Sequence, residues 1–307
     1  MSLPGERLVP EVGFDPASSG STVSVLTPSL NYADFTRDAL LSVQGQTRLS
    51  LEHIVQDGNS TDGTIEVLQD FGRAVQWRSE PDDGQSDALN MALARAGHEW
   101  IALLNADEFY LPGGLEELLK EGTRTGADVV YGDCVFVDED GRFLRLVAAH
   151  RFDRRTLRSY GCFIDTCATL VRRSVLSEGP WDVELKRIMD WDLFLRLAAE
   201  RRRFHYVPYP VGAFRVHGRR VTARPSTDFP TEYAALRERY RAGSGRRTAG
   251  RALHRARKLI EGSVRRELGA RRFAGSDVRW FRSDVGMQRW QALLERCYGP
   301  VAHDTAQ

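Results

Sequence analysis

A chain of 307 residues, 42% apolar and 28% charged, is long enough to bury one large core, and its formal net charge of +1 gives no general attraction to polyanions. No run approaches the roughly 20 apolar residues of a spanning helix, and Met1 to Gly20 lacks a basic-then-apolar leader pattern, so a cytoplasmic location is expected. The cysteines Cys134, Cys162, Cys167 and Cys297 follow no zinc-ligand or disulfide spacing, and Cys162 and Cys167 read as reduced packing residues.

Residues 1–20 are rich in Gly, Pro and Ser and read as a flexible arm. Structure is expected from Thr22, where a β-branched strand runs to Pro28. Asp34 is placed to cap a helix with Phe35, Ala39, Leu40 and Val43 on one face. A second strand, Leu51 to Gln56, enters Asp57-Gly58-Asn59-Ser60-Thr61-Asp62-Gly63-Thr64, a segment suited to a tight turn and the start of a helix bearing Ile65, Leu68 and Phe71. A strand at Ala74 to Arg78, a polar loop and a helix from Ser86 to about Ala96 follow. The apolar run Trp100 to Leu104 then stops at Asn105, Asp107 and Glu108, as a buried strand does on leaving its sheet. Ligands bind beyond such strand ends in open α/β sheets, although Asn and Asp also favour turns for local reasons.

Past Gly114 the alternation of strand and helix gives way to a helix around Leu115 to Thr123 and a hairpin of Val129 to Val137 with Phe143 to Leu146. Ala168 to Val171 reads as a strand, Asp190 to about Arg201 as a helix, and Phe204 to Val207 and Val211 to Val216 as two short strands. Between Arg241 and Arg272 arginines dominate, with Glu261 and Glu267 the acids, and Leu253, Ile260, Val264 and Leu268 thread an apolar stripe through a helical pattern. Such a helix suits anionic lipid, nucleic acid, an acidic partner or simple solvation. Trp280, Phe281, Trp290, Leu293 and Leu294 carry enough apolar surface to dock on their own domain or on a second subunit.

Together these pieces resemble an inverting family 2 glycosyltransferase with the GT-A fold. The resemblance spans about Val23 to Thr222 and rests on ordered motifs: Val23 to Ser29, Gln56 to Thr64, Ser79 to Asn90, Leu104 to Glu108, Met189 to Arg196, and Phe214 to His217. It implies an α/β fold with a mostly parallel central sheet flanked by helices. The implied divisions are a catalytic domain at 21–225, comprising a nucleotide half (21–112) and an acceptor half (113–225), then a helical basic extension at 226–307.

By the same resemblance Thr27 and Pro28 lie beside the base and ribose of a sugar donor, and Asp57 accepts a hydrogen bond from the base. Gln85 and Asp87, at a helix N-terminus, reach ribose or phosphate, although Asp87 equally suits the helix dipole. Asn105-Ala106-Asp107 stands where the family has Asp-x-Asp, so Asn105 is left for ribose and Asp107 for Mg²⁺ or Mn²⁺, with Glu108 a spare carboxylate. Asp190 matches the base that deprotonates the acceptor hydroxyl, with Met189 where the family often has an acid. Arg215 is expected on the donor diphosphate and His217 on phosphate or metal. Asp165, Trp181 and Asp182 are assigned to the acceptor pocket. The implied acceptor is a saccharide, lipid-linked glycan or small-molecule hydroxyl, with a homodimer and contact with the inner membrane face through 241–272 as further expectations. The alternatives are a decayed nucleotide-sugar-binding scaffold and a sugar-phosphate nucleotidyltransferase, the latter disfavoured because Thr27 to Tyr32 forms no Gly-rich phosphate loop.

Overall fold

The computed structural model describes residues 22–220, 223, 228–240 and 246–299, so the expected arm at 1–20 lies outside the described residues. The first half alternates β1 (Thr22–Ser29), α1 (Ala33–Gln44), β2 (Ser50–Asp57), α2 (Thr64–Asp70), β3 (Gln76–Ser79), α3 (Gln85–Leu93) and β4 (Trp100–Leu103). Then come β5 (Phe109–Tyr110), α4 (Gly114–Thr125), β6 (Val129–Val137), β7 (Phe143–Val147), α5 (Arg154–Ser159), β8 (Thr169–Arg172), α6 (Met189–Ala199) and β9 (Phe204–Arg215). The extension is helical: α7 (Asp228–Arg239), α8 (Arg246–Ile260), α9 (Ser263–Ala270) and α10 (Asp284–Tyr298).

One mixed sheet runs β3-β2-β1-β4-β8-β6-β9-β5, with β7 paired to β6. Pairing is parallel through β3-β2-β1-β4, where helices cross over between strands, and again between β6 and β9. Around β8, β7 and β5 it is antiparallel. Because successive strand residues face opposite sides, Val23 and Val25 pack with Ala39 of α1 and Leu115 of α4, while Leu26, Ile54 and Leu103 pack with Leu89 of α3 and Leu193 of α6. Helices therefore cover both faces, and the C-terminal ends of β1, β2 and β4 open at one edge.

Several local expectations change. Asp34 sits in the first turn of α1 rather than capping it, and Asp62 accepts the Ala33 N–H at 3.0 Å in its place. The two short strands expected after Arg203 are one strand, β9, with its register irregular opposite Asp133. The extension belongs to the core: Phe273, Trp290, Leu293 and Leu294 bury against Phe109, Val135 and Phe143. The indole of Trp280 donates to the Tyr110 carbonyl at 2.9 Å and lies directly against Gly45, where an added Cβ would sit 2.1 Å from the ring. Of the two docking options for the tail, its own domain is the one observed. No helix among the described residues is long and apolar enough to cross a membrane.

Candidate active site

Each strand of the parallel half delivers a polar group to the open edge. At the end of β2 the Asp57 carboxylate is fully buried and held by the Ser60 N–H at 2.8 Å, the Ser60 hydroxyl at 2.5 Å and the Ser79 hydroxyl at 2.7 Å. These donors leave its charge fixed in direction, as a turn requires and as recognition of a ring N–H also requires. Gly58 follows, and a Cβ there would lie 2.8 Å from an Asp82 carboxylate oxygen, so a larger residue would have to displace that side chain. Burial, reinforced by Asp87 and Asp57, raises the Asp82 pKa. Asp82 is thus a close neighbour of the edge that sequence reasoning passed over inside its motif.

Thr27 and Pro28 are buried at the end of β1. The Thr27 hydroxyl is 2.9 Å from His53 Nε2, and burial holds that imidazole neutral with a pKa near 3. The Thr27 side chain is therefore occupied within the fold. Gln85 and Asn105 do come together: Gln85 Nε2 donates to Asn105 Oδ1 at 2.6 Å, linking the N-terminus of α3 to the end of β4. Asp87 is half-buried and accepts the Asp83 N–H at 3.0 Å.

Beyond β4 the chain turns at 105–108. Glu108 is the buried member, 2% exposed, and accepts the Asn105 N–H at 3.1 Å. Burial, the adjacent Asp107 and then Asp165 push its pKa well above the ordinary value, and its carboxyl braces the turn. Asp107 instead faces the edge, its side chain 13% exposed, with His217 Nε2 2.9 Å from Oδ2. His217 Nδ1 lies 3.3 Å from the Arg219 N–H, which makes Nδ1 an acceptor and leaves the proton on Nε2 for Asp107. Binding a cation through Nε2 would require that proton to move to the side facing the Arg219 N–H. Among the described residues no three metal-ligating side chains converge, so the protein's own contribution to a cation would centre on Asp107.

Arg215 does not face the edge. It is 1% exposed, with Phe35 and Phe109 against its guanidinium, and donates to Asp38 Oδ2 at 2.9 Å, the Glu139 carbonyl at 2.6 Å and the Asp107 carbonyl at 3.0 Å. In place of the diphosphate contact expected for it, Arg215 is seen buried, its Nε–H on the Asp107 carbonyl and its two Nη groups on Glu139 and Asp38. Asp38, 2% exposed, also accepts from Arg282 Nε at 2.9 Å, so the extension meets the Asp107 turn through one buried carboxylate. Sequence reasoning missed Asp38, which reads as an ordinary polar position on α1.

Asp190 lies in the first turn of α6, half-buried, with its Oδ1 accepting the Trp191 N–H at 2.7 Å. Burial raises its pKa to about 6. Asp165, on the loop before β8, is raised to about 7 by burial and then by Asp190 and Asp133. Two electrostatically coupled carboxyls therefore titrate near neutrality beside the edge. Trp181 is 2% exposed and clamped by Asn90, which donates to its carbonyl at 2.8 Å and accepts its N–H at 3.1 Å. Asp182 accepts the Glu184 N–H at 3.1 Å and lies 3.7 Å from Arg239. Both are engaged within the fold; of the three acceptor residues expected, Asp165 is the one grouped with Asp190.

A family model described as "Glycosyl transferase family 2" matches residues 24–179, half of the chain. The chain belongs to glycosyltransferase family 2. Asp190 and His217 lie past that matched span. The PGL/p-HBAD biosynthesis glycosyltransferase of Mycobacterium tuberculosis is 28% identical over 180 residues, 56% of this chain and 68% of the relative. In fold, the chain resembles S. aureus TarS in complex with UDP-GlcNAc (TM-score 0.57, 17% identity, 70% of this chain and 65% of that one). It also resembles the mannosyltransferase PcManGT from Pyrobaculum calidifontis in complex with GDP-Man and Mn²⁺ (TM-score 0.53, 17% identity, 95% of this chain and 91% of that one). At these identities the structural likeness speaks for the GT-A fold.

Proposed function

We propose that this glycosyltransferase takes a sugar from a nucleoside-diphosphate donor and joins it to an acceptor hydroxyl with inversion. The observation carrying this reading is the layout of one edge, with Asp57, the Gln85–Asn105 pair and the Asp107–His217 pair at the strand ends. The raised carboxyl of Asp190 supplies a base for the same reaction.

In this reading Asp57 would receive the base, Gln85 and Asn105 the ribose, and Asp107 would hold Mg²⁺ or Mn²⁺. A cation so held neutralises charge developing on the leaving diphosphate. His217 aims the Asp107 carboxylate, and Arg215 fixes the backbone beneath it. Asp190, ionised above about pH 6, accepts the acceptor's hydroxyl proton as the oxygen attacks the anomeric carbon from the side opposite the diphosphate. Asp165 takes its place beside Asp190 in the acceptor pocket and, being raised to about 7, is available there as a proton-bearing group for a substrate hydroxyl.

The test is release of nucleoside diphosphate from UDP-, GDP- and dTDP-sugars with Mn²⁺, with and without saccharide acceptors. Turnover of one donor that depends on acceptor supports the reading. Tight donor binding without turnover would support the scaffold alternative.

A further inference from the structure

Helix α8 is amphipathic, yet it is mounted the opposite way from a helix on the surface of a globular domain. Its inward side is polar. His254 stacks on Tyr160 with ring centroids 4.0 Å apart and meets His150 at 3.0 Å, and Arg257 pairs with Asp153 at 2.6 Å. Lys258 pairs with Glu267, while Gly250 brings the helix backbone so close to Ser159 that a Cβ would clash at 2.5 Å.

Its outward side holds Ala249, Ala252, Ala256, Leu259 and Ile260, bordered along one flank by exposed Arg251 and Arg255. Leu259 is 66% exposed and Ile260 84%, and Leu268, 51% exposed, continues the apolar character onto α9 beside exposed Arg265. Of the apolar stripe read from the sequence, Ile260 and Leu268 are thus turned toward solvent, while Leu253 and Val264 are half-buried. The acids of the stretch face the other way: Glu261 accepts the Arg151 N–H at 2.7 Å and Glu267 the Ala148 N–H at 3.0 Å. Among the described side chains, the exposed face of α8 therefore carries apolar and cationic groups and the small hydroxyl of Thr248, and no acid.

We propose that this face docks on an anionic lipid surface, with Leu259 and Ile260 entering the headgroup boundary and Arg251, Arg255 and Arg265 against lipid phosphates. An apolar centre with a cationic border is what an interfacial helix presents to such a surface. A polyanion such as nucleic acid offers nothing to the exposed Leu259–Ile260 pair. In a two-fold pairing of copies the same patch would face itself, setting arginines against arginines. The inference does not depend on the transfer reaction, because it rests on α8 and α9 alone.

The experiment is flotation of the full chain with phosphatidylcholine vesicles, with and without phosphatidylglycerol, at low and high salt. The expected result is binding that requires phosphatidylglycerol and weakens with salt. Leu259→Ser/Ile260→Ser should lower the partition roughly tenfold or more, since two large apolar side chains lose their burial. Arg251→Glu/Arg255→Glu should abolish binding to the anionic vesicles. Both pairs are exposed, so thermal melting should be unchanged. The proposal is overturned if the wild type stays with the soluble fraction at low salt, or if neither double variant changes flotation. It is equally overturned if light scattering finds a dimer that the Leu259/Ile260 variant dissociates, which would assign the face to a second copy.

Discussion

Replacing Asp190 by asparagine separates the catalytic use of this carboxylate from its cost to the fold. Burial lifts its pKa from the ordinary 3.8 to about 6, so the native state holds a proton that the unfolded chain has already released between those values. Stability then falls as pH rises through that window, because the unfolded state binds fewer protons than the native one. At about 1.4 kcal/mol for each pH unit between the two values, the charged carboxylate costs up to about 3 kcal/mol above pH 6, and solvent reaching the half-buried group brings this nearer 1–2 kcal/mol. Asparagine keeps an oxygen for the Trp191 N–H and carries no charge. The variant should therefore melt higher than wild type at pH 8, match it near pH 4, and have no transferase activity. The assay is urea unfolding at several pH values beside product formation. A variant less stable than wild type at pH 8 would refute the argument, since it would mean that the charged form is stabilised by the fold.

The same titration shapes the rate: with Asp190 as base, transfer should decline about tenfold per pH unit well below pH 6, and a rate flat from pH 5 to 8 would exclude this base. Asp38→Asn leaves Arg215 buried without its counter-charge, so urea unfolding should report a loss of about 3–5 kcal/mol, together with weakened donor binding as the Asp107 turn loosens. Trp280→Ala removes the ring against Gly45 and should cost about 3–5 kcal/mol in a single cooperative transition. Two transitions would instead make the extension a separate unit.

Much of the fold was legible because periodicity and turn chemistry agreed in the first half. Val23 and Val25 alternate with Ser24 and Leu26, and apolar runs end at Asp57 and Asn105, so strand ends and site coincide. Strand β5 and helix α5 were missed because each is too short to establish a period: Phe109–Tyr110 is defined by pairing with Gly212 and Ala213 on a distant strand. Site legibility was uneven for a similar reason. Asp107 and His217, from separate motifs, meet at 2.9 Å, but alternation along β9 could not reveal that Arg215 would be drawn to Asp38 on α1. Trp181, expected to line the acceptor pocket, is 2% exposed, with Asn90 clamping its backbone. The acids of the basic segment, Glu261 and Glu267, accept backbone N–H groups of Arg151 and Ala148 and so help tie α8 and α9 to the catalytic domain, a role that sequence alone could not assign.

The most direct test of the proposed division of labour is calorimetric titration of UDP and GDP, with Mn²⁺ or chelator, into wild type, Asp107→Ala and Asp190→Asn. The account predicts that wild type binds one nucleotide in a metal-dependent way, that Asp190→Asn binds it within a few-fold, and that Asp107→Ala loses the metal-dependent part. Undiminished binding by Asp107→Ala, or loss of binding by Asp190→Asn, would contradict the assignment of donor to one carboxylate and acceptor to the other.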